Sequence, residues 1–470
     1  MTHFLAVDFG TTSTKSALVD LHTGRFSHLR RHAALQTTAT APGHHEVDLQ
    51  AIRQRFEAIC TDAWTAVSFD GIVLCSEMHG FAVLDPDSGT PLTEYISWLD
   101  GRSVEVVAGV RTIDAVRERL GDDRFRTLTG MRPRPGFPLL NLIHLARTRS
   151  LPEEVVVVSL PGWLAGNDAG SSPPEHPTIL AGMALYDVVA AEPAAELLEV
   201  VYDIGGVRPR IGAPAADDAI AGHWSSPDGD DVPIHVGVGD HQCSVLGAGV
   251  ATADIASVNL GTGSQVGLVD GPLDDSVEHR PFFDSRHLSA VTHIPSGRAL
   301  AEYVGFLQQA VSYGRGAGDT PPDMWQALAE IGPQEVARAE LSVDLAVFDG
   351  ARGWSDGGRI SGIVEGGLTP TAYLASVLKA YSLQYVEVLD RLDPERSVRR
   401  VALSGGIARN LPHLAQIIAS ASGRQVDGTV DLDESLLGLR ALALRCAGLT
   451  DSVAEGQSRF GRECHMEETT

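Results

Sequence analysis

One short pattern occurs twice in this chain, about half a chain apart. Residues 4–20 read FLAVDFGTTSTKSALVD and residues 255–270 read IASVNLGTGSQVGLVD, and Asp8 of the first copy matches Asn259 of the second. Both copies alternate apolar and small residues around a Gly-Thr turn, which is typical of a β-hairpin. The repeat predicts two domains of one design. A chance match between two hairpins rich in Gly and Thr is the alternative.

Other patterns in the chain agree with a division into two α/β domains. At 470 residues the chain is long enough for more than one buried core, and we predict domains at residues 1–248 and 249–470. Residues 369–392 predict a long helix, with Thr369 as its cap and one apolar face. Apolar runs predict strands at residues 71–75, 155–159, 234–238 and 398–403.

The charge of the chain excludes one class of partner and constrains another. With 61 acidic against 36 basic residues, the formal net charge is −25. Nucleic-acid binders need a basic surface to neutralise phosphates, so nucleic acid is not expected as a partner. A phosphate-bearing ligand would be repelled at long range, and it must be held by a local site together with a metal ion.

The cysteines and the hydropathy pattern predict a cytoplasmic protein without a membrane segment. The five cysteines are scattered without a Cys-x-x-Cys spacing, which fits a reducing compartment better than a disulfide framework or a zinc site. The N-terminus enters an apolar strand without a basic leader, and no apolar run reaches the ~18 residues of a membrane helix.

The turn of the first hairpin has the chemistry of a phosphate site. Successive backbone N–H groups and hydroxyls bind phosphate oxygens, and Lys15 follows closely. Asp8, just before the turn, could hold Mg²⁺ through water, because hard cations prefer carboxylates. The alternative is a plain tight turn whose side chains bond their own backbone. The candidate ATP-binding residues of this turn are Gly10, Thr11, Thr12, Ser13 and Lys15.

The second hairpin repeats this chemistry, and two further segments add to it. Two such turns could hold one polyphosphate chain, the second with Gly261, Thr262, Gly263 and Ser264. Later, Ser404-Gly405-Gly406 follows a predicted strand and precedes a predicted helix that contains Leu411 and Leu414. A glycine pair there would let a flat ring such as adenine approach the backbone, although such a pair is often only a loop.

Asp240 is the candidate catalytic base. It follows an apolar strand and precedes a helix of small residues, and an acid at a strand end of an α/β sheet lies where ligands bind. Its carboxylate could accept the proton of an attacking hydroxyl in phosphoryl transfer. The alternative is a helix cap, which is a frequent use of Asp after Gly.

Two segments offer a polar and aromatic mixture that suits a sugar. Aromatic faces pack on C–H surfaces, and polar side chains pair with hydroxyls. For each segment the alternative is structural, a buried core histidine or a salt bridge. The candidate residues are Met78 and His79 in the first segment, and Trp98, Asp100 and Arg102 in the second.

Taken in order, these blocks resemble the FGGY family of carbohydrate kinases, within the actin and hexokinase superfamily. The resemblance spans nearly the whole chain, and it implies two ribonuclease-H-like (actin-like ATPase) domains with the active site in the cleft between them. It also implies ATP with Mg²⁺, sugar contacts mainly from the N-terminal half and adenosine contacts mainly from the C-terminal half. The matching blocks are residues 8–15 and 261–264 for phosphate, 76–80 and 98–102 for sugar, Asp240 as base, and 404–410, which includes Asn410, for adenosine.

Within the family, the residues around the base are similar to those of sedoheptulokinases. That subgroup has Gln, a small residue, Ser and Val near this point, and Gln242 to Val245 fit that order. The block at residues 280–304 also resembles the subgroup, and Gln242 is therefore a candidate substrate ligand. Xylulokinases and other pentulose kinases rank second. Three residues depart from the family pattern, namely Glu77 for Gln, Leu99 for Asn and Ser404 for Gly.

The resemblance predicts an enzyme that phosphorylates the terminal hydroxyl of a ketose, sedoheptulose first. ATP and a small sugar are its expected partners, and a homodimer is left open. A rival from another class is an actin-like ATP-binding scaffold or sensor, but the sugar-type segments at Met78 and Trp98 have no use in a filament. A kinase-like protein without activity is a third alternative, which the presence of Asp8 and Asp240 disfavours.

Overall fold

The protein is described here by a computed structural model that covers residues 2–166, 170, 172–261, 263–313, 322–348, 357–430 and 432–462. These residues form two compact units. The first unit comprises the described parts of Met1–Gly249, His279–His287 and Asp431–Thr470, and the second those of Val250–Glu278 and Leu288–Val430.

The division of the chain is not linear, in contrast to the predicted domains 1–248 and 249–470. The chain first leaves unit 1 at Gly249, next to the predicted boundary, but two later segments return to it. Its last two helices show why. A Cβ atom on Gly438 would lie 2.1 Å from the backbone oxygen of Cys243, so a late helix packs directly against the backbone of an early one. No local pattern in the sequence indicates this return.

The elements up to Gly249 belong to unit 1. The strands are β1 (His3–Phe9), β2 (Ser13–Asp20), β3 (Phe26–Ala33), β4 (Thr37–Thr38), β5 (Glu46–Val47), β6 (Gly71–Ser76), β7 (Ala82–Leu84), β8 (Tyr95–Ile96), β9 (Val106–Val107), β10 (Val110–Arg111), β11 (Glu154–Val158), β12 (Tyr186–Asp187), β13 (Glu192–Pro193), β14 (Arg208–Arg210), β15 (Ile220–Ser225), β16 (Asp231–His235) and β17 (Val238–Gly239). The helices are α1 (Leu49–Ala66), a 3₁₀ turn (Arg102–Val104), α2 (Thr112–Leu120), α3 (Asp122–Thr129), α4 (Pro138–Thr148), α5 (Leu160–Ala165), α6 (Pro177–Gly182), α7 (Ala195–Gly205) and α8 (Asp240–Gly247).

The remaining elements follow in chain order. The strands are β18 (Ile255–Leu260), β19 (Ser264–Val269), β20 (Glu278–Pro281), β21 (His287–Ile294), β22 (Ser342–Asp344), β23 (Arg359–Ser361), β24 (Arg400–Ser404) and β25 (Gln425–Asp427). The helices are α9 (Gly297–Ser312), α10 (Met324–Ala329), α11 (Pro333–Arg338), α12 (Pro370–Leu392), α13 (Gly406–Asn410), α14 (Leu414–Ser422), α15 (Glu434–Cys446) and α16 (Val453–Phe460), the last two in unit 1.

The main sheet of unit 1 is built on the first hairpin. Its strand order is β15-β16-β6-β1-β2-β3, and β17 also pairs with β6. Strands β1 and β2 are antiparallel, whereas β1 and β6 are parallel. Every residue of β1 after His3 is buried, because a central strand that is covered on both faces must be apolar almost throughout.

The sheet of unit 2 repeats this arrangement around the second hairpin. Its strands follow the order β21-β19-β18-β24-β25. Here β18 and β19 are antiparallel and β18 and β24 are parallel, as β1, β2 and β6 are in unit 1. The prediction of two α/β domains with one design is therefore confirmed at the level of topology.

The long predicted helix is confirmed as α12. The hydroxyl of Thr369 accepts a hydrogen bond from the backbone N–H of Ala372 (3.1 Å), and Pro370 occupies the first turn. The core face of the helix includes Tyr381 and Tyr385, which are fully buried. The helix therefore forms the spine of the unit 2 core.

Three of the four predicted strands are confirmed as β6, β11 and β24, and the run at residues 234–238 is interrupted. Ile234 pairs with Ile72 and Val238 pairs with Cys75, so four steps on one strand span three on its partner. An extra residue of this kind breaks the ladder and bends the strand. The predicted helix after Gly406 is likewise divided into α13 and α14, with Leu411 between them.

The helices and cysteines that the structure describes add two findings. None of these helices combines the length and apolar character that a membrane crossing requires. Of the cysteines, Cys60, Cys75, Cys243 and Cys446 are free thiols, and Cys464 lies outside the described residues.

Candidate active site

Three strands of unit 1 end at one edge of its main sheet. In the parallel ladder Asp8 of β1 lies opposite Cys75 of β6, and Cys75 lies opposite Val238 of β17. Glu77 and Asp240 each come two residues further along, so both follow the carboxyl ends of neighbouring strands. Ligands of open α/β sheets bind at this edge, and the structure therefore places these acids where a site is expected.

Asp240 is the first residue of α8 and a partly exposed carboxylic acid. The cap position itself belongs to Gly239 rather than to Asp240. Its carboxylate accepts a hydrogen bond from the backbone N–H of His241 (2.7 Å). Burial, and then the negative charges of Asp8 and Glu77, raise the pKa of Asp240 to about 7. A carboxylate with such a pKa is a competent proton acceptor near neutral pH.

Asp8 is buried in a hydrogen-bond network that includes residues outside the first hairpin. Its carboxylate accepts hydrogen bonds from the hydroxyl of Ser435 (2.7 Å), the Lys15 ammonium (3.2 Å) and the Cys75 thiol (3.5 Å). Lys15 also pairs with Asp433 (3.1 Å). Burial alone would lower the pKa of Lys15, but the charges of Asp8 and Asp433 outweigh it and the pKa is raised. Lys15 is therefore a fixed cation beside the turn.

The first turn joins β1 to β2 and exposes Thr11 and Thr12, while Gly10 is partly buried. Ser13 is buried, and its hydroxyl has no hydrogen-bond partner within the described part of the chain. The hydroxyl of Thr11 accepts a hydrogen bond from the indole N–H of Trp98 (2.9 Å). A candidate phosphate residue and a candidate sugar residue are therefore in direct contact.

Met78 lies beside β17, the strand that precedes Asp240, and His79 contacts the end of α6. Met78 is buried, and a Cβ atom on Gly239 would lie 2.6 Å from its sulfur. His79 Nδ1 is 2.6 Å from the carbonyl oxygen of Gly182, to which it donates, and Nε2 faces Arg134 Nη2 at 3.5 Å. Arg134, whose guanidinium lies 4.9 Å above the Phe137 ring, is a neighbour of this candidate residue that sequence reasoning missed.

Trp98, Asp100 and Arg102 have different environments although they belong to one segment. The Trp98 side chain is 43% exposed, whereas Asp100 and Arg102 are fully buried. Arg102 pairs with Asp100 (2.7 Å) and Glu46 (2.6 Å). These ion pairs give Asp100 and Arg102 a positioning function for the segment that presents Trp98, as in the structural alternative. Direct sugar contact by either residue stays a prediction.

Glu77, the departure from the family pattern, is a partly exposed acid with several hydrogen bonds. Its carboxylate accepts from the hydroxyl of Tyr95 (2.9 Å), the backbone N–H of Trp98 (3.4 Å) and the hydroxyl of Ser97 (3.5 Å). Burial raises the pKa of Glu77 to about 7, and these hydrogen bonds oppose the shift. A Cβ atom on Gly80 would lie 1.9 Å from the Tyr95 hydroxyl, so Gly80 makes this arrangement possible.

Gln242 follows Asp240 by two residues and is buried. Its side-chain N–H donates to the carbonyl oxygen of Pro281 (3.3 Å). Its side-chain oxygen has no hydrogen-bond partner among the described residues. A buried acceptor without a partner is costly, and a donor on a ligand would relieve that cost.

The second turn, in unit 2, is fixed by hydrogen bonds from two neighbouring segments. Thr262 of this turn lies outside the described residues. The carbonyl oxygen of Gly261 accepts from the Ser296 hydroxyl (2.8 Å) and from the Gly297 N–H (3.1 Å). The hydroxyl of Ser264 accepts from Tyr385 of α12 (2.9 Å). Gly263 faces open space. Ser264 therefore anchors the turn, and the backbone at Gly263 is accessible.

The predicted adenosine segment follows β24 at the matching edge of the unit 2 sheet. Asn259 donates to the hydroxyl of Ser404 (3.1 Å), the residue opposite it in the ladder. Gly405 has φ +92°, and a Cβ atom there would lie 2.6 Å from Leu260 O, so only glycine fits. Gly406 has open space beside it, and Asn410 is exposed at the end of α13. The Ser404 departure thus has a structural use.

Known proteins resemble the chain in sequence and in structure. Residues 3–150 match the family described as "FGGY family of carbohydrate kinases, N-terminal domain". A glycerol kinase of Alkalilimnicola ehrlichii is 26% identical over 98% of this chain and 93% of its own length. Among solved structures, a xylulose kinase of Lactobacillus acidophilus has a TM-score of 0.78 at 18% identity, covering 97% of this chain and 92% of that one.

A second solved structure, the glycerol kinase of Plasmodium falciparum with ADP, has a TM-score of 0.78 at 17% identity and covers 99% of this chain and 95% of that one. At such identities the solved structures establish the fold, which is the ribonuclease-H-like fold that the resemblance predicted, with the two domains that the hairpin repeat predicted. Residues 3–150 thus match the N-terminal domain of the FGGY family of carbohydrate kinases, and the relative that matches nearly the whole chain is a glycerol kinase.

Proposed function

We propose that this carbohydrate kinase phosphorylates a terminal hydroxyl of a ketose, with Asp240 as the base. The observation that carries the proposal is the position of Asp240 at the strand edge, partly exposed and with its pKa raised to about 7. The acceptor oxygen attacks the γ-phosphorus of ATP, the bond from that phosphorus to the bridging oxygen breaks, and ADP leaves. Asp240 takes the proton of the acceptor hydroxyl.

The other candidate residues bind and orient the reactants in this proposal. The turn from Gly10 to Ser13, the backbone at Gly263, and Gly405, Gly406 and Asn410 bind ATP. Trp98, Met78, His79 and Gln242 bind the sugar. Exclusion of water from the bound reactants would limit wasteful hydrolysis of ATP.

Mg²⁺ is the metal that we propose to accompany ATP. Magnesium is usually held by one or two carboxylates together with phosphate oxygens and water. The carboxylate of Asp8 could serve as an oxygen ligand at the sheet edge where ligands bind. Its hydrogen bonds with Lys15 and Ser435 fix its orientation. Within the described residues no cluster of three or more metal-ligating side chains occurs, and magnesium bound mainly by nucleotide phosphates does not need one. When bound, it would neutralise charge on the phosphates.

A ketose of the sedoheptulose kind is the first choice of acceptor, on the similarity of residues 242–245 and 280–304 to that subgroup. A second candidate is glycerol, because the relative from Alkalilimnicola ehrlichii, named glycerol kinase, matches 98% of this chain. A pentulose such as xylulose remains the alternative among ketoses.

A panel of acceptors tests the proposal. Sedoheptulose, xylulose, ribulose, fructose and glycerol are each assayed with ATP and Mg²⁺, and the release of ADP and the phosphorylated product are both measured. We expect one ketose to give the highest kcat/KM. A clear preference for glycerol would replace the ketose assignment. ADP release that no acceptor stimulates would instead favour the scaffold or sensor alternative.

A further inference from the structure

A cavity of about 160 Å³ lies in unit 1 beside the first turn. Its wall includes Thr11 from the turn, Glu77 and Leu99 from the predicted sugar segments, and Ser97, which directly precedes the second of these segments. A single water needs about 10–15 Å³ by this kind of measure, so the cavity has room for several hydroxyl-bearing carbons. Among its lining residues, all of which the structure describes, Glu77 carries the only charged side chain.

The carboxylate of Glu77 is held by neutral donors. Tyr95 and Ser97 donate hydroxyls and Trp98 donates a backbone N–H. The charges that act on the neighbouring base are mainly negative, since Asp8 and Glu77 both raise the pKa of Asp240 and Arg280 only partly offsets them. Lys15 is bound between Asp8 and Asp433. A second anion at Glu77 would thus meet repulsion, whereas a hydroxyl would find an acceptor.

We propose that Glu77 determines acceptor specificity, by accepting a hydroxyl of an uncharged polyol or ketose at this cavity and by excluding sugar acids. The inference rests on the proposed kinase function and narrows its substrate class. Specificity of this kind needs a repulsive element against the wrong ligand as well as an attractive one for the right ligand, and one carboxylate provides both. A glutamine, which the family pattern has at this position, would provide only the attraction.

The test compares a ketose with the aldonate of equal carbon number, at about pH 8, where a carboxyl with a pKa near 7 is ionised. We expect the wild-type protein to prefer the ketose by ~100-fold in kcat/KM. Repulsion between two like charges about 4 Å apart at a partly exposed site can weaken binding by about one to two powers of ten. Glu77→Gln is isosteric and keeps an acceptor for Tyr95 and Trp98. We expect it to reduce the preference by ~10-fold or more, chiefly through a lower KM for the aldonate.

Glu175→Gln is the matched control. Burial raises the pKa of Glu175 to about 7, as it does for Glu77, but Glu175 is held by Ser159 and does not line the cavity. This variant should leave the ketose-to-aldonate ratio unchanged. Equal use of both ligands by the wild-type protein would overturn the inference even if Glu77→Gln failed to fold. So would a folded Glu77→Gln variant with an unchanged ratio.

Calorimetry of ligand binding without ATP separates this inference from the proposed function. If no acceptor is phosphorylated, the kinase proposal for ketoses fails, and the binding preference still reports on Glu77. If ketoses are phosphorylated but the wild-type protein binds the aldonate as tightly as the ketose, the kinase proposal stands and the function proposed for Glu77 is wrong.

Discussion

At the scale of single residues, the ionised form of Asp240 is disfavoured by its neighbours, because two other acids, Asp8 and Glu77, lie near it. Burial and the charges of Asp8 and Glu77 make its ionised form unfavourable, and acids with pKa values shifted in this way are common at active sites. Replacing the acid by its amide removes both the base and the repulsion.

Asp240→Asn should lower kcat by ~10²-fold or more, which is the contribution of a general base. Because the substitution also removes an uncompensated charge, the melting temperature at about pH 8 should not fall. Single-turnover rates and thermal unfolding measure the two effects. Glu175→Gln, which removes a similar acid away from the site, serves as the control. A loss of only a few-fold with unchanged acceptor binding would contradict the assignment of the base.

The pH dependence of kcat/KM follows from the same pKa. The base works only when ionised, and the pKa of Asp240 is raised to about 7 in the folded protein. We therefore expect kcat/KM to fall about tenfold per unit below pH 7 and to level off above it. A profile recorded with a saturating metal nucleotide measures this. A plateau that extends down to about pH 5 would show that another group controls the rate.

The contact between Trp98 and Thr11 also belongs to this scale. The indole N–H donates to the threonine hydroxyl (2.9 Å), so the residue proposed to carry the sugar also holds the phosphate turn. Trp98→Phe keeps the aromatic face and loses the donor. We expect KM for ATP to rise, by about 5-fold for one lost hydrogen bond, with a smaller change for the sugar. Equal KM values for ATP in the two proteins would refute a function of this contact.

At the scale of elements, the helices α8 and α15 pack with almost no space between their backbones. Gly438 of α15 is the point of closest approach, 2.1 Å from Cys243 O for an added Cβ atom. Gly305 of α9 is a helical glycine with open space around it. The two glycines therefore form a matched pair for testing that packing.

Gly438→Ala should destabilise unit 1 by about 1–3 kcal/mol, because neither backbone can yield without a shift of the helix. Gly305→Ala should be neutral or stabilise by up to about 1 kcal/mol, the gain from replacing glycine within a helix. Denaturant unfolding of both variants gives the comparison. Equal stabilities of the two variants would mean that the helices can move apart freely.

Element positions could be predicted where burial dictates composition. Strands β1, β6 and β18 are central, so their residues had to be apolar, and α12 shows its cap and apolar face in the sequence. The interruption before β17 was missed because it depends on a one-residue difference in register against β6. The helix break after Asn410 was missed because apolar residues continue through it.

The site shows the same limit. Asp8, Asp240 and the glycine turns could be proposed from the sequence because their chemistry is local, and their functions stay predictions. The partners Asp433 and Ser435 were missed, since Ser435 lies 427 residues from Asp8 along the chain and no pattern joins the two. Arg134 was missed because one arginine in a loop carries no signal. The fully buried state of Arg102 was one of two alternatives that sequence could not separate.

At the scale of the whole molecule, the C-terminal helices should behave as part of unit 1. Hydrogen exchange under native conditions measures which segments open together. The backbone amides of α15 should exchange with solvent at rates similar to those of β1 and α8. If the two units differ in stability, these rates should differ from those of β24 and α12. Exchange of α15 together with unit 2 would instead support the linear division at residue 248.

The return of the chain to unit 1 has a consequence for how the protein is made. The ribosome synthesises Asp8 and Lys15 near the beginning of the chain. It adds their partners Asp433 and Ser435 much later, since Ser435 lies 427 residues after Asp8. Until then the acid and the lysine beside the phosphate turn lack two of their partners. A nascent or prematurely terminated chain that ends before Asp433 therefore lacks these two contacts, and we expect Asp8 and Lys15 to reach their final arrangement only late in synthesis.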